Sequence, residues 1–196
     1  MGIGPRPRHP LIPLCLAALA VAGAAGASAC GSDDPESAAP APAAAEEAFA
    51  GAPGPLKSLY EERNELLDGG ERAFRDRLEE LRGHPVVVNK WASWCGPCRA
   101  EFPFFQRQAV RRAREVAFIG VNSTDNDGSA RDFLEEFPVT YPSYKDPDQK
   151  VAAVFDGVAA FPSTAFYDSH GKLQYLKQGG YPRESKLAED IERYAK

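Results

Sequence analysis

Apolar positions recur at helical spacing through "LKSLYEERNELLDGG" (56–70) and "ERAFRDRLEELRG" (71–83), and each run ends at glycine. Two accessory helices are therefore predicted ahead of the main fold. The period then changes. "HPVVVNKWAS" (84–93) is a β-branched run suited to a central strand, and "VAFIGVN" (116–122) reads as a second buried strand. Between them "CGPCRAEFPFFQRQAVRRARE" reads as a helix that opens at the cysteines, with Pro103 placed to kink it. Ser129 and Asp132 form a capping box for a helix carrying Phe133, Leu134 and Phe137 on one face. Asp146 and Pro147 open another helix, carrying Val151, Val154 and Phe155. "STAFYD" and "KLQYLKQGGY" are strands around an "SHG" turn, and "ESKLAEDIERYAK" is a closing helix. This order predicts an α/β domain with a mixed central sheet flanked by helices over residues 84–196.

The first residues follow a different pattern. Arg6 and Arg8 precede the uncharged run "LIPLCLAALAVAGAAGA", and the small residues "ASA" come just before Cys30. This is the layout of a signal peptide over 1–29, too short and Ala-rich for a membrane span. The mature protein is then exported, where disulfide chemistry is admitted. "ASAC" resembles the lipobox of bacterial lipoproteins, with Ala27 where Leu is usual. The resemblance implies lipidation of Cys30 and attachment to the outer face of the cytoplasmic membrane. The same residues fit an ordinary signal-peptidase site, with secretion as the outcome. Residues 30–55, low in complexity and rich in Ala and Pro, read as a semi-flexible tether.

Lys and Arg total 23 against 28 Asp and Glu, a net charge of −5 that provides no footprint for nucleic acid. Cysteine usage changes the picture more. Cys15 lies in the signal run and Cys30 at the cleavage point, so the folded region keeps Cys95 and Cys98. Cross-linking stabilises through the loop it closes, and Gly96 and Pro97 make almost no loop. A reactive pair fits better. The attacking species is a thiolate, which a helix N-terminus stabilises at Cys95. Cys98, one turn deeper, can then attack a mixed disulfide at Cys95 and release the product. Pro97 in the first turn removes no helical hydrogen bond.

With Trp94 before it, "WCGPC" looks like the thioredoxin active site. "VVNKWASWCGPCRAEFP", "YPSYKDPDQKVAAVFDG" and "FPSTAFYDSHGKL" together resemble the TlpA/ResA branch of exported thioredoxin-like proteins. The resemblance covers roughly 84–196, and residues 125–157 match the helical insertion of that branch. It implies a thioredoxin-like fold and a thiol–disulfide oxidoreductase. Cys95 and Cys98 would carry the chemistry, and Trp94, Gly96, Pro97, Phe161 and Pro162 would bind substrate. Pro162 matches the cis-proline beside the active-site disulfide, Phe161 the residue whose backbone pairs with substrate, and Trp94 a lid. It further implies a protein disulfide substrate, apocytochrome c among the candidates, a membrane thiol electron donor, a monomer and no bound cofactor. Asn89 stands in place of thioredoxin's buried Asp, so that carboxylate's proton handling does not transfer. Lys90 stands where an aromatic is usual, either pairing with Glu101 or snorkelling from a strand face.

Other chemistries fit less well. Cys95, Cys98, His84 and His170 have no zinc-finger spacing, and the wider cysteine spacing of copper-delivering relatives is missing. Ala92 replaces the Thr that a peroxiredoxin needs. "DNDG" (125–128) has its Gly at the fourth position of a would-be calcium loop, not the sixth, and reads as a turn. Arg107, Arg111 and Arg114 share a helix face expected to be solvated. Gly96 and Pro97 between the cysteines match thioredoxin, which is a reductant, so a reductase is expected. The rivals are an oxidase folding secreted proteins and a binding module whose cysteine pair is structural or holds metal.

Overall fold

A computed structural model describes residues 1, 2, 4 and 40–196, so the rest of the signal segment, Cys30 and residues 31–39 lie outside the described residues. Six strands form one sheet in the order β1-β4-β3-β2-β5-β6. They are β1 (Leu66–Leu67), β2 (Val86–Trp91), β3 (Ala117–Ser123), β4 (Ser143–Asp146), β5 (Ser163–Tyr167) and β6 (Leu173–Gln178). β1 to β4, β4 to β3 and β3 to β2 are parallel, and β5 and β6 run antiparallel to their neighbours. The mixed sheet is the predicted fold class.

Strand β2 sits in the middle and is buried along its whole length. Its side chains alternate between two cores, as a pleated strand requires. Val87 and Trp91 enter one with Phe102, Phe105, Phe133, Leu187 and Ile191. Those residues belong to α4 (Gly96–Arg111), α5 (Asp127–Glu136) and α7 (Glu184–Tyr194). Val86 and Val88 enter the other, with Leu56, Phe74 and Phe155 from the opposite face. Trp91 Nε1 donates to Ser143 Oγ at 3.0 Å, across β3. Gly120 of β3 makes this possible, because a Cβ there would overlap the Ser143 side chain.

Five expectations are corrected. The helix foreseen over 56–70 is α2 (Gly54–Glu61) alone. Asn64 then takes a left-handed φ of 64°, which asparagine tolerates, and its side chain bonds Leu134 O and the Val139 N–H. Leu66 and Leu67 pair with β4 instead of continuing the helix; the second run gives α3 (Gly70–Glu80) as foreseen. The tether foreseen over 30–55 contains a helix, α1 (Pro42–Ala50), in its described part. Ala-rich sequence favours it, and buried Phe49 stacks on Tyr60 with ring centroids 4.4 Å apart. The cap of α5 is Asn126, whose Oδ1 accepts the Ser129 N–H at 2.9 Å, displacing the Ser129–Asp132 box. Arg107 does not share a solvated face, because it is buried against Glu184 of α7 with Nε 2.6 Å from Oε2.

The helix expected after Asp146 is the single turn α6 (Lys150–Ala153), and Asp146 instead ends β4. Its carboxylate accepts the N–H groups of Val151 and Ala152, satisfying orphan donors at the start of that turn.

Candidate active site

The chain leaves β2 and turns directly into α4, with Cys95 as the N-cap residue. Cys95 Sγ accepts the Cys98 N–H at 3.2 Å, so the sulfur faces the exposed donors of the helix start. Cys95 and Cys98 are joined by a disulfide. Cys95 is 3% exposed and Cys98 0%, so the second sulfur is the deeper. Pro97 lies in the first turn, and nothing crowds the Gly96 α-carbon.

Two loops close around this turn. The Phe161–Pro162 peptide bond is cis. Trp94 is 58% exposed and rests on Phe161, ring centroids 4.8 Å apart, while its Nε1 donates to Thr124 O at 3.0 Å. The turn before it is clamped by Asp125, whose carboxylate accepts the Ser93 N–H at 2.6 Å, the Ser93 hydroxyl at 2.8 Å and Asn122 Nδ2 at 2.9 Å. On the other side a methyl at Gly180 would stand 3.4 Å from Pro97 Cβ, 3.5 Å from Glu101 Oε2 and 3.6 Å from Pro162 Cγ. Gly180 thus marks the point where Pro97, Pro162 and the Glu101 carboxylate converge. Seven of the eight predicted site residues therefore sit at or beside this turn; Cys30 lies outside the described residues.

Glu101 is one turn beyond Cys98 and fully buried. Its Oε1 accepts Asn89 Nδ2 at 2.9 Å and its Oε2 accepts the Tyr181 N–H at 2.9 Å. Burial pushes its carboxyl up to about 7, against the pull of those two donors and of Lys177. A buried carboxylate one turn beyond Cys98 thus comes from the helix, while the strand position supplies the amide of Asn89. Asn89 Oδ1 is buried and has no hydrogen-bond partner among the described residues.

Lys90 neither pairs with Glu101 nor snorkels. It is fully buried on the opposite face of β2 from Asn89. Its ammonium donates to Gly157 O at 2.8 Å and Gln149 Oε1 at 2.9 Å, and lies 3.7 Å from the centre of the Phe161 ring. Burial lowers it to about 8, with the Asp146 carboxylate acting the other way. Sequence reasoning also passed over Asp125, Gly180 and Tyr181. The only signal for Asp125 was the "DNDG" turn, and for Gly180 the "GG" after a strand.

A buried disulfide at a helix start thus has a cis-proline loop beside it and a buried carboxylate one helical turn beyond it. The Redoxin family profile matches residues 75–191. The chain belongs to the Redoxin family. Over 106 residues, 54% of this chain, it is 30% identical to the thiol-disulfide oxidoreductase ResA of Bacillus subtilis (strain 168), 59% of which is covered. It is 34% identical over 96 residues, 48% of this chain, to the thiol:disulfide interchange protein DsbE of Pseudomonas fluorescens biotype C, 52% of which is covered. The chain therefore spans little more than half the length of these curated relatives. Among solved structures, DsbF of Mycobacterium tuberculosis is 33% identical with a TM-score of 0.54, over 59% of this chain and 84% of that one.

Proposed function

We propose that this Redoxin-family chain is an extracytoplasmic thiol–disulfide oxidoreductase that reduces protein disulfides. The Cys95–Cys98 bond at the N-terminus of α4, beside the cis Phe161–Pro162 bond, carries this reading. In the reduced protein the Cys95 thiolate attacks one sulfur of a client disulfide. The client bond breaks, a Cys95–client bond forms, and one client thiolate leaves and takes up a proton. Cys98 passes its proton to the Glu101 carboxylate and attacks Cys95 Sγ. The mixed bond breaks, the Cys95–Cys98 bond closes, and the second client thiolate leaves. Two electrons have moved from the protein dithiol to the client, and a membrane thiol donor returns them. An extended client backbone pairs along Phe161, with Trp94, Gly96, Pro97 and Pro162 forming the seat. Apocytochrome c, which must present reduced cysteines for haem attachment, is a fitting client.

The test is a pair of variants. Cys98→Ser should trap covalent client adducts at Cys95, and Cys95→Ser should abolish adducts and insulin reduction, a loss of about three orders of magnitude or more. Retained reduction in Cys95→Ser would overturn the assignment. Attachment through lipid on Cys30 is part of the same proposal, and its support is the "ASAC" sequence. Cys30→Ala should shift the protein from the membrane fraction to the soluble fraction; recovery of soluble wild type with an unmodified Cys30 thiol would favour plain secretion.

A further inference from the structure

Lys90 is a buried cation with no carboxylate in contact. Val86 and Val88, the preceding residues on the same strand face, are apolar and enter the core. Stability alone would favour another apolar residue there, since an ammonium removed from water without a counter-ion is expensive. What it touches is informative. Besides Gly157 O and Gln149 Oε1, its Nζ lies 3.2 Å from Val158 O and 3.3 Å from Ala160 O. Three N–H groups are thus shared among four oxygens, and the Phe161 ring packs against the same ammonium.

These carbonyls belong to the connection from α6 to β5, which delivers Phe161 and Pro162 to the disulfide. Among the described residues this connection has few other ties. Gly157 N donates to Ala152 O at 2.8 Å at its start; at its end Ser163 Oγ donates to Ala160 O at 2.9 Å and Pro162 O accepts the Gly179 N–H at 2.8 Å. Phe155 anchors the start of the connection in the core, whereas Val158 is 44% exposed, so the stretch from Gly157 to Ala160 is not held by buried apolar side chains of its own. Lys90 is also rooted in β2, whose register with β5 places it opposite Ser163. One side chain therefore links the strand that leads into Cys95 with the loop that faces it.

We propose that Lys90 is the positioning residue of the client-binding loop: by gathering the carbonyls of Gly157, Val158 and Ala160 and backing the Phe161 ring, it holds the Phe161 backbone in line for an extended protein chain. It acts on client binding through Phe161, and does not touch the reacting sulfurs. The proposal rests on the disulfide-exchange reading above. A small disulfide such as 5,5′-dithiobis(2-nitrobenzoate) has no chain to lay along Phe161, so it reports the cysteines alone.

The experiment compares wild type and Lys90→Met on insulin and on that small disulfide. Methionine keeps the length and the apolar fit while removing every donor. Insulin KM should rise about tenfold with kcat changed less than about twofold, and the loss in kcat/KM should be at least about fivefold greater for insulin than for the small disulfide. Equal losses on both substrates, or a fall confined to kcat, would overturn the role. Gln149→Asn withdraws one oxygen from the ammonium and keeps a residue that tolerates the φ of 58°. It should show the same split at about twofold. If Lys90→Met does not fold, Gln149→Asn decides alone, and no split there overturns the proposal. A wild type inert towards both disulfides would instead overturn the exchange reading, and the Lys90 role with it.

Discussion

The two ends of α4 bury charge in opposite ways. At its C-terminal half, Arg107 Nε and Gln108 Nε2 both donate to the Glu184 carboxylate of α7, at 2.6 and 2.5 Å. Charge meets charge there, and the closing helix is pinned to the core. At its N-terminal half the Glu101 carboxylate has an amide and a backbone N–H as hydrogen-bond partners. Lys90, on the other face of β2, likewise has carbonyls, an amide and an aromatic ring. A buried charge with neutral hydrogen-bond partners is left near its point of titration. One helix therefore combines an end fixed to α7 by an ion pair with an end where a proton can move.

The fixed end should show the largest effect on stability. Glu184→Ala removes the acceptor shared by Arg107 and Gln108 inside the α4–α7 contact. Breaking this nearly buried pair should cost about 4 kcal/mol, which for a chain of this size lowers Tm by about 10 °C. Insulin reduction measured well below Tm should change less than about twofold, because no client atom approaches this end. A large loss of activity in a variant that still melts at the wild-type temperature would erase the distinction between the two ends.

The movable end should respond to pH. An acid whose pKa stands higher in the folded chain than in the unfolded one binds its proton more tightly when folded. For Glu101 the stabilisation is complete below its ordinary value of 4.5 and is lost as pH rises to about 7. The loss over this window is about 3 kcal/mol, and Glu101→Gln should flatten it in urea titrations. Asn89 makes this variant tolerable. Its unpartnered Oδ1 can turn to accept the new amide N–H, as it can accept the proton of neutral Glu101. The same change should slow resolution about a hundredfold, so mixed disulfides persist. Identical pH slopes in both proteins would show that Glu101 does not titrate in this window.

These contrasts were unequally legible beforehand. β2, the cysteine turn and β5 stand out because β-branched runs and a helix start are local signals. β4 is not legible in the sequence, since of Ser143, Tyr144, Lys145 and Asp146 only Tyr144 favours a strand, and the four owe their state to β3 and β1 on either side. β1 was hidden inside a helical period that Asn64 interrupts. The position of Glu101 one turn from Cys98 could be read off the sequence, but its burial depends on Tyr181, eighty residues away. Lys90 was misplaced for the same reason: its acceptors lie 59 to 70 residues along the chain.

The smallest effect concerns the cover above Glu101. A methyl at Gly180 would meet Pro97 Cβ, Glu101 Oε2 and Pro162 Cγ at 3.4, 3.5 and 3.6 Å, all ordinary contact distances. Gly180→Ala should therefore fold without strain and gain about 0.5 kcal/mol from a less flexible unfolded chain. The methyl also thickens the apolar cover over the buried carboxylate, which disfavours the charged form. Glu101 should then titrate at a higher pH than in the wild type, with resolution of mixed disulfides displaced in the same direction. The upward shift should vanish in the double variant with Glu101→Gln, since no carboxylate remains to feel it. An unmoved or lowered midpoint in Gly180→Ala would mean that Glu101 gains its proton affinity from its partners on β2 and at Tyr181, and not from being closed off beneath the two prolines.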